Sequence, residues 1–503
     1  MLYGTLVLTL TSIVSQFLGF VYRIFLSRLI GAEVMGLYQL IMPVFSVLLS
    51  LTAVGLTAAV SNLSSQYHAM GRPAVIGQVL RRCLACFLLL FAAVAAVVVL
   101  LYDPISVYLL GDARTQLGLL LLLPCVLLTG VENLHKHYFY GTGSIRPPAA
   151  VELCEQFIRT GAVLGLLAYF LPQYPERVVG LIVAGMVICE VASAVTLTVL
   201  CRWRLRRMGL KGPGEPGRVR RRRVFSIALP VGLNALLGNL MGAVNAALVP
   251  QKLVEGGMDP SQAISELGVV CGMTLPMLAL PTVFLSAMSL VLVPRLARST
   301  ALNRSQAVRD TISKALSAVS VLALPAMGMM AVLGEELGVL LFRQEAVGEY
   351  LLPLAAATAL SCYQAILGAS LNGVGRQGTV AWISLVCDGV QLAFTACLVG
   401  VPSVGMGGFV AGMLVSTALG LVLCAWRLRA FTGLSFRLFQ WVTAPGLATL
   451  LSALVTNLLF QVLQDSGVPV LWRIPGALAF GLVLYIAALS AQGVPLRGLF
   501  RLE

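Results

Sequence analysis

The chain has little charge. Only 11% of its residues are Asp, Glu, Lys or Arg, against 59% hydrophobic. Soluble domains carry about 25% charged residues, so this scarcity excludes an ordinary soluble protein. Apolar runs of about 20 residues, the length that spans a bilayer, recur along the whole sequence. The fold class is therefore an all-α polytopic membrane protein. Other absences narrow the function. No G-x-x-x-x-G-K-[ST] motif occurs, which excludes a nucleotide-driven pump within this chain. No connection is long enough for the catalytic domain of a membrane glycosyltransferase, so an enzyme is not expected. There is no Arg-rich voltage helix and no ion-filter motif. The first basic residue is Arg23. A charged leader region is missing, and the opening apolar run reads as a retained helix. The eleven cysteines fall almost entirely inside apolar runs, so no disulfide framework is expected. Cys83-Leu-Ala-Cys86 opens an apolar helix and reads as small buried residues rather than a redox or zinc motif.

What is present divides the chain. The periodicity predicts fourteen spanning helices, over 5–29, 37–60, 83–102, 117–140, 149–171, 178–201, 224–248, 270–293, 315–334, 351–371, 379–400, 406–426, 440–463 and 473–491. Between the sixth and seventh lies 202–223, with ten Lys/Arg and one acid. Gly212, Pro213, Gly214, Pro216 and Gly217 break any helix through its middle. A run this basic between membrane-length segments reads as a cytoplasmic loop that touches anionic lipid, not as a nucleic-acid patch. With an even helix count, both termini are then cytoplasmic. This topology places 26 Lys/Arg inside and six outside, the asymmetry the positive-inside rule requires. The segment 103–116 is expected to lie along the outer interface, and 249–269 is the longest outer connection.

A repeat underlies the layout. Leu123-Pro124, a Gly141-x-Gly143 turn with Arg146 and then an acid-bearing helix match Leu352-Pro353, Gly373-x-Gly375 with Arg376 and a second acid-bearing helix. Pro43 precedes Arg72 much as Pro276 precedes Arg304. Helices 1–6 thus resemble helices 7–12. The division is 1–201 for a first lobe, 202–223 for the linker, 224–426 for a second lobe, and 427–503 for two extra helices and a tail. Parallel repeats of this kind are a known transporter architecture.

Ionisable groups inside spans cost about 2.5–3.5 kcal/mol on insertion scales, and mark candidate sites. Arg23 and Arg28 lie on the first helix, where cations lining a cavity suit a diphosphate. The alternative for Arg23 is a pairing with an acid on a neighbouring helix. Glu152, Glu155 and Arg159 share one face of the fifth helix, either self-neutralised or forming a polar cavity wall. Glu132 stands on the fourth helix, and His135, Lys136 and His137 after it read as interfacial. Glu190 stands nearly alone on the sixth helix. Asp388, with Ser384 one turn before it and Gln391 one turn after, could hold Na⁺ or a proton, or make a structural bond. No converging metal-ligand set is visible by spacing. Asn234, Asn239 and Asn245 suit interhelix hydrogen bonds. Pro230, Pro276, Pro281 and Pro325 mark bendable helices.

The opening SQFLGFVYRIFLSRLIGAEVMGLYQL, with its continuation through the second helix, resembles the polysaccharide biosynthesis and stage V sporulation protein B family. That family belongs to the multidrug/oligosaccharidyl-lipid/polysaccharide exporter superfamily, which includes the lipid II flippases. The resemblance covers nearly the whole chain. It implies two lobes around a central cavity, alternating access, no cofactor beyond coupling Na⁺ or H⁺, and location in the bacterial cytoplasmic membrane. It also implies that Arg23 and Arg28 face a lipid diphosphate, and that Ser384 and Asp388 with Asn234 hold a coupling cation. Gln16 stands where many flippases carry an arginine. The leading expectation is a monomeric transporter of a lipid-linked oligosaccharide, working beside cell-wall synthesis proteins. The alternatives are a cation-coupled multidrug antiporter, whose site should be acid-dominated, and a non-transporting scaffold of a cell-wall synthesis complex.

Overall fold

The computed structural model describes residues 2–207, 221–435 and 439–492. Most of the basic linker, 208–220, and the tail 493–503 lie outside the described residues. The described chain is all-helical. It divides into two compact units, one of residues 1–251 with 259–268, the other of 252–258 with 269–503.

The first unit opens with α1, Leu2–Leu49. At 1.5 Å per residue it runs about 72 Å, more than twice the ~30 Å hydrocarbon core, so it cannot be one crossing. The break falls at Gly31, with φ 76° and ψ 178°. That backbone region is open to glycine and strained for other residues, and it lies between the two helices expected from the sequence. A π-helical turn at Ser50–Val54 leads into α2, Gly55–Ala69. Hydroxyls take up carbonyls around it, Ser50 donating to the Ser46 oxygen at 2.8 Å and Thr52 to the Leu48 oxygen at 2.7 Å. Then come α3 (Pro73–Pro104), α4 (Gln116–Gly141), α5 (Arg146–Phe170), α6 (Val178–Arg207), α7 (Arg221–Glu255) and α8 (Pro260–Leu267). α4 packs against α2, α3 and α6, while α5 packs against α1 and α6. Phe87, Tyr138, Phe139 and Leu197 fill the core between them. Within a bilayer the stabilising contribution is close packing rather than removal from water. α7 meets α2 at its first turn, and Asn239 on it donates to the Ser50 hydroxyl at 2.6 Å, the interhelix role expected of these amides.

The stretch read as the longest outer connection is not irregular. Asp259 caps α8 by accepting from the Ser261 N–H at 3.0 Å, and α8 packs on α1. Gly36 faces the Ile264 carbonyl and Gly268 faces the Ala32 carbonyl so closely that a Cβ at either glycine would collide with backbone. An eight-residue helix carries too short a period to stand out in sequence. In 103–116, the Ser106 and Thr115 hydroxyls bond at 2.6 Å and both residues are fully buried.

The second unit holds α9 (Leu275–Ala279), α10 (Val283–Ala301), α11 (Ser305–Val332), α12 (Gly334–Phe342), α13 (Ala346–Gly373), α14 (Gln377–Leu398), α15 (Met406–Thr432), α16 (Ala444–Asp465) and α17 (Val470–Ala491). The expected span 270–293 is interrupted. A π-helical turn at Gly268–Thr274, α9 and a 3₁₀ turn at Leu280–Thr282 precede α10. Pro276 and Pro281 occupy opening positions of α9 and of the 3₁₀ turn, where a missing N–H breaks no helical bond. Leu296, Ile312, Ile366 and Leu428 lie in the main core, and Tyr485 and Leu489 seat α17 in a smaller one.

Among the described residues twelve helical segments are long and apolar enough to cross a membrane. The first, Leu10–Ala69, is 60 residues long and takes in most of the expected span 5–29 and all of 37–60. α5, with its charged face, is not one of the twelve. The expectation of fourteen is thus an approximate count.

The repeat is visible in the turns. Gly71 and Asn303 both take positive φ, 66° and 53°, a region Asn tolerates better than most residues. Each is followed by an arginine whose N–H reaches back five residues, Arg72 to the Tyr67 oxygen and Arg304 to the Ser299 oxygen, both at 3.0 Å. Gly143 and Gly375 repeat this at φ 71° and 80°. There Ser144 N–H bonds the Phe139 oxygen and Arg376 N–H the Leu371 oxygen, both at 2.9 Å.

Candidate functional site

The first unit gathers charge where α4, α5 and α6 meet. The i,i+4 spacing of Glu155 and Arg159 on α5 puts them on one face, and Arg159 Nη2 bonds Glu155 Oε1. The same nitrogen lies 3.5 Å from Glu190 Oε1 on α6. On α4, Lys136 Nζ lies 2.9 Å from Glu132 Oε1. Glu132 lies within electrostatic range of Glu190, joining the two pairs. Three carboxylates against two cations leave this set with a formal charge of −1. Glu190 is only 3% exposed. Its Oε2 has no hydrogen-bond partner among the described residues, nor has Arg159 Nε. The Cys189 thiol joins the carboxylates of Glu155 and Glu190, with donor atoms within 4.8 Å of one another. A metal there competes with the Arg159 guanidinium, so a proton or a monovalent ion suits the set better. Glu152, on α5 as expected, is half-buried and makes no ion pair among the described residues.

Three members were misjudged from sequence. Lys136 is not an interfacial bystander but is held against Glu132. His135 is buried, its Nδ1 against the Val131 carbonyl at 2.7 Å. Glu190 is not isolated. The usable signal was Glu132–Lys136, which repeats on α4 the i,i+4 pattern of Glu155–Arg159.

Arg23 is half-buried on α1 and has no ion-pair or hydrogen-bond partner among the described residues. The expected alternative, a pairing with a neighbouring acid, is not observed, since Glu155 is taken by Arg159. Tyr22 and Tyr38 lie within electrostatic range of both Arg23 and Arg159, which places Arg23 beside the charged set. The Tyr22 hydroxyl is buried and unpartnered among the described residues. Arg28 is exposed near the Gly31 break.

In the second unit, α13, α14 and α15 enclose a cavity of about 280 Å³ lined by Asp388, Ser384, Gln391, Gln364, Ser416 and Thr417 among others. Gln391 donates to the Phe409 carbonyl at 3.1 Å and accepts from the Ser416 hydroxyl at 3.3 Å. Asp388 is half-buried, with no hydrogen-bond or ion-pair partner among the described residues. A free carboxylate ringed by hydroxyl and amide oxygens can take Na⁺ or a proton. Asn234 is exposed on α7 in the first unit and is not part of this lining.

A family model described as polysaccharide biosynthesis protein matches residues 1–300, more than half of the chain. The chain belongs to that family. It is 25% identical over 434 residues to the stage V sporulation protein B of Bacillus subtilis (strain 168), covering 83% of this chain and 82% of that one. It is 22% identical to the lipid II flippase MurJ of the same organism, covering 65% and 63%. Among solved structures, a lipid II flippase MurJ in an inward closed conformation matches 100% of both chains at 11% identity, with a TM-score of 0.71. An inward-facing multidrug resistance MATE family transporter matches 84% of this chain and 96% of its own, at 15% identity and a TM-score of 0.65. These likenesses fix the fold and, with the family, make the chain a multi-pass membrane flippase or exporter rather than an enzyme.

Proposed function

We propose that this family member carries a lipid-linked oligosaccharide, a peptidoglycan or polysaccharide precursor, across the bacterial cytoplasmic membrane by alternating access. Its termini are then cytoplasmic and its coupling ion is Na⁺ or H⁺. The observation that carries the reading is Arg23. A half-buried guanidinium with no acid paired to it is expensive in a membrane, and a substrate that arrives with its own negative charge compensates it. A diphosphate fits the planar fork of the guanidinium. Arg28 extends the cationic surface along α1, Glu152 adds a polar group to α5, and Arg159 is already engaged by Glu155. Asp388, with Ser384 and Gln391, takes the coupling cation. The sporulation protein and lipid II flippase among the relatives support this class of substrate.

A second reading is a cation-coupled multidrug antiporter. The excess acid among Glu132, Glu155 and Glu190 favours it, because a cationic drug needs an anionic wall. The two readings separate in proteoliposomes. The parent protein should translocate a fluorescent polyprenyl-diphosphate sugar and leave a cationic dye in place. Dye efflux without lipid translocation would reverse the assignment.

A further inference from the structure

Arginines at the end of α6 divide into two groups. Arg204 donates to the Ser144 hydroxyl, and Arg207 lies over the Trp203 ring at 3.6 Å. Arg202 and Arg206, one turn apart on a different face, are exposed with no hydrogen-bond or ion-pair partner among the described residues. Arg81 on α3 is exposed and unpaired in the same way. All three line a groove of about 480 Å³ between α3, α4 and α6, whose floor is apolar and includes Leu84, Leu88 and Val131. No acid lines it. Three like charges line this apolar floor with no acid among them, and none of the three has a hydrogen-bond or ion-pair partner among the described residues.

We propose that this groove is a binding site for one anionic phospholipid, its phosphate held by Arg81, Arg202 and Arg206 and its upper acyl chain lying along Leu84 and Leu88. Charge complementarity selects an anion. The apolar floor selects one that carries a hydrocarbon chain, since a free phosphate gains nothing from leucines. The outer face of α3 identifies the source. Leu88, Leu89 and Leu100 on it are 47%, 72% and 79% exposed, so the groove opens beside a helix that faces lipid and a bilayer phospholipid enters without crossing protein. Arginine guanidinium is the side chain suited to a phosphodiester, with two parallel donors. The site is separate from Arg23 and from the Glu190 cluster, and it stands whatever the transported molecule is.

The test is native mass spectrometry of the full-length protein in neutral detergent, titrated with phosphatidylglycerol or phosphatidylcholine. The parent should retain one phosphatidylglycerol and release phosphatidylcholine at least tenfold more readily. Arg81→Gln/Arg202→Gln/Arg206→Gln should lose that retention at least tenfold, while Arg204→Gln keeps it. These side chains are exposed, so folding is expected to persist; the single variant Arg202→Gln, with a smaller loss, serves as a second measurement. Equal retention of both lipids by the parent, or unchanged retention by the triple variant, would overturn the proposal. So would displacement of phosphatidylglycerol by a stoichiometric polyprenyl diphosphate, which would make the groove a subsite for the transported lipid.

Discussion

Arg159 and Glu190, 31 residues apart and on different helices, face each other at 3.5 Å in the interior of the first unit. Because Arg159 also holds Glu155, one guanidinium bridges two carboxylates.

Removing that bridge should be costly. Arg159→Leu leaves Glu155 and Glu190 buried against each other with only Lys136 to offset them. Breaking a buried ion pair costs about 3–5 kcal/mol, so thermal unfolding in detergent should fall sharply. Arg159→Lys, which keeps the charge and loses the fork, should fall less. An Arg159→Leu protein as stable as the parent would contradict the bridge.

Glu190→Gln should act in the opposite sense. It brings the set to two acids against two bases and replaces an oxygen that bonds nothing among the described residues. Stability measured the same way should be unchanged or raised. A loss as large as that of Arg159→Leu would show that the Glu190 charge is fully compensated in the folded protein, against the net charge of −1 assigned to the set.

The α1–α8 contact is a packing prediction. Gly36→Leu drives a side chain into the Ile264 backbone, and overpacking costs about 1–3 kcal/mol or more. Gly31→Ala adds strain of about 1–3 kcal/mol, since positive φ with ψ near 180° is essentially a glycine conformation. Both should lower the yield of monodisperse protein in gel filtration, whereas Gly161→Ala, with open space around it, should not.

Asp388→Asn separates coupling from folding. The carboxylate has no protein partner among the described residues, so thermal unfolding should stay near that of the parent, while the dependence of transport on Na⁺ or on pH is lost. Transport in Asp388→Asn with unchanged ion dependence would remove the residue from the coupling site.

Much of this was legible in the sequence. The scarcity of charge gave the class, and the Gly-x-Gly and Arg72/Arg304 positions gave a repeat that returns as matched turns. Glu155–Arg159 was legible because both partners lie on one helix. Glu190 was not, since its partner is 31 residues away and helix spacing carries no information about interhelix contacts. Lys136 was legible by the same i,i+4 rule, since Glu132 lies one turn before it on α4, but its histidine neighbours suggested an interface instead. α8 and the interruption around Pro276 and Pro281 were hidden by length, because pieces of five to eight residues are too short to show a 3.6-residue period.

The most direct test of the central claim is the translocation rate of a fluorescent polyprenyl-diphosphate sugar in proteoliposomes holding equal amounts of parent, Arg23→Ala and Arg23→Lys. Since hydrogen bonds to charged groups contribute about 1.5–3 kcal/mol, Arg23→Ala should be slower by about tenfold to a hundredfold, with Arg23→Lys between them and Arg23→Ala at least as stable as the parent. Equal rates in the parent and Arg23→Ala would contradict the assignment of Arg23 to the substrate diphosphate.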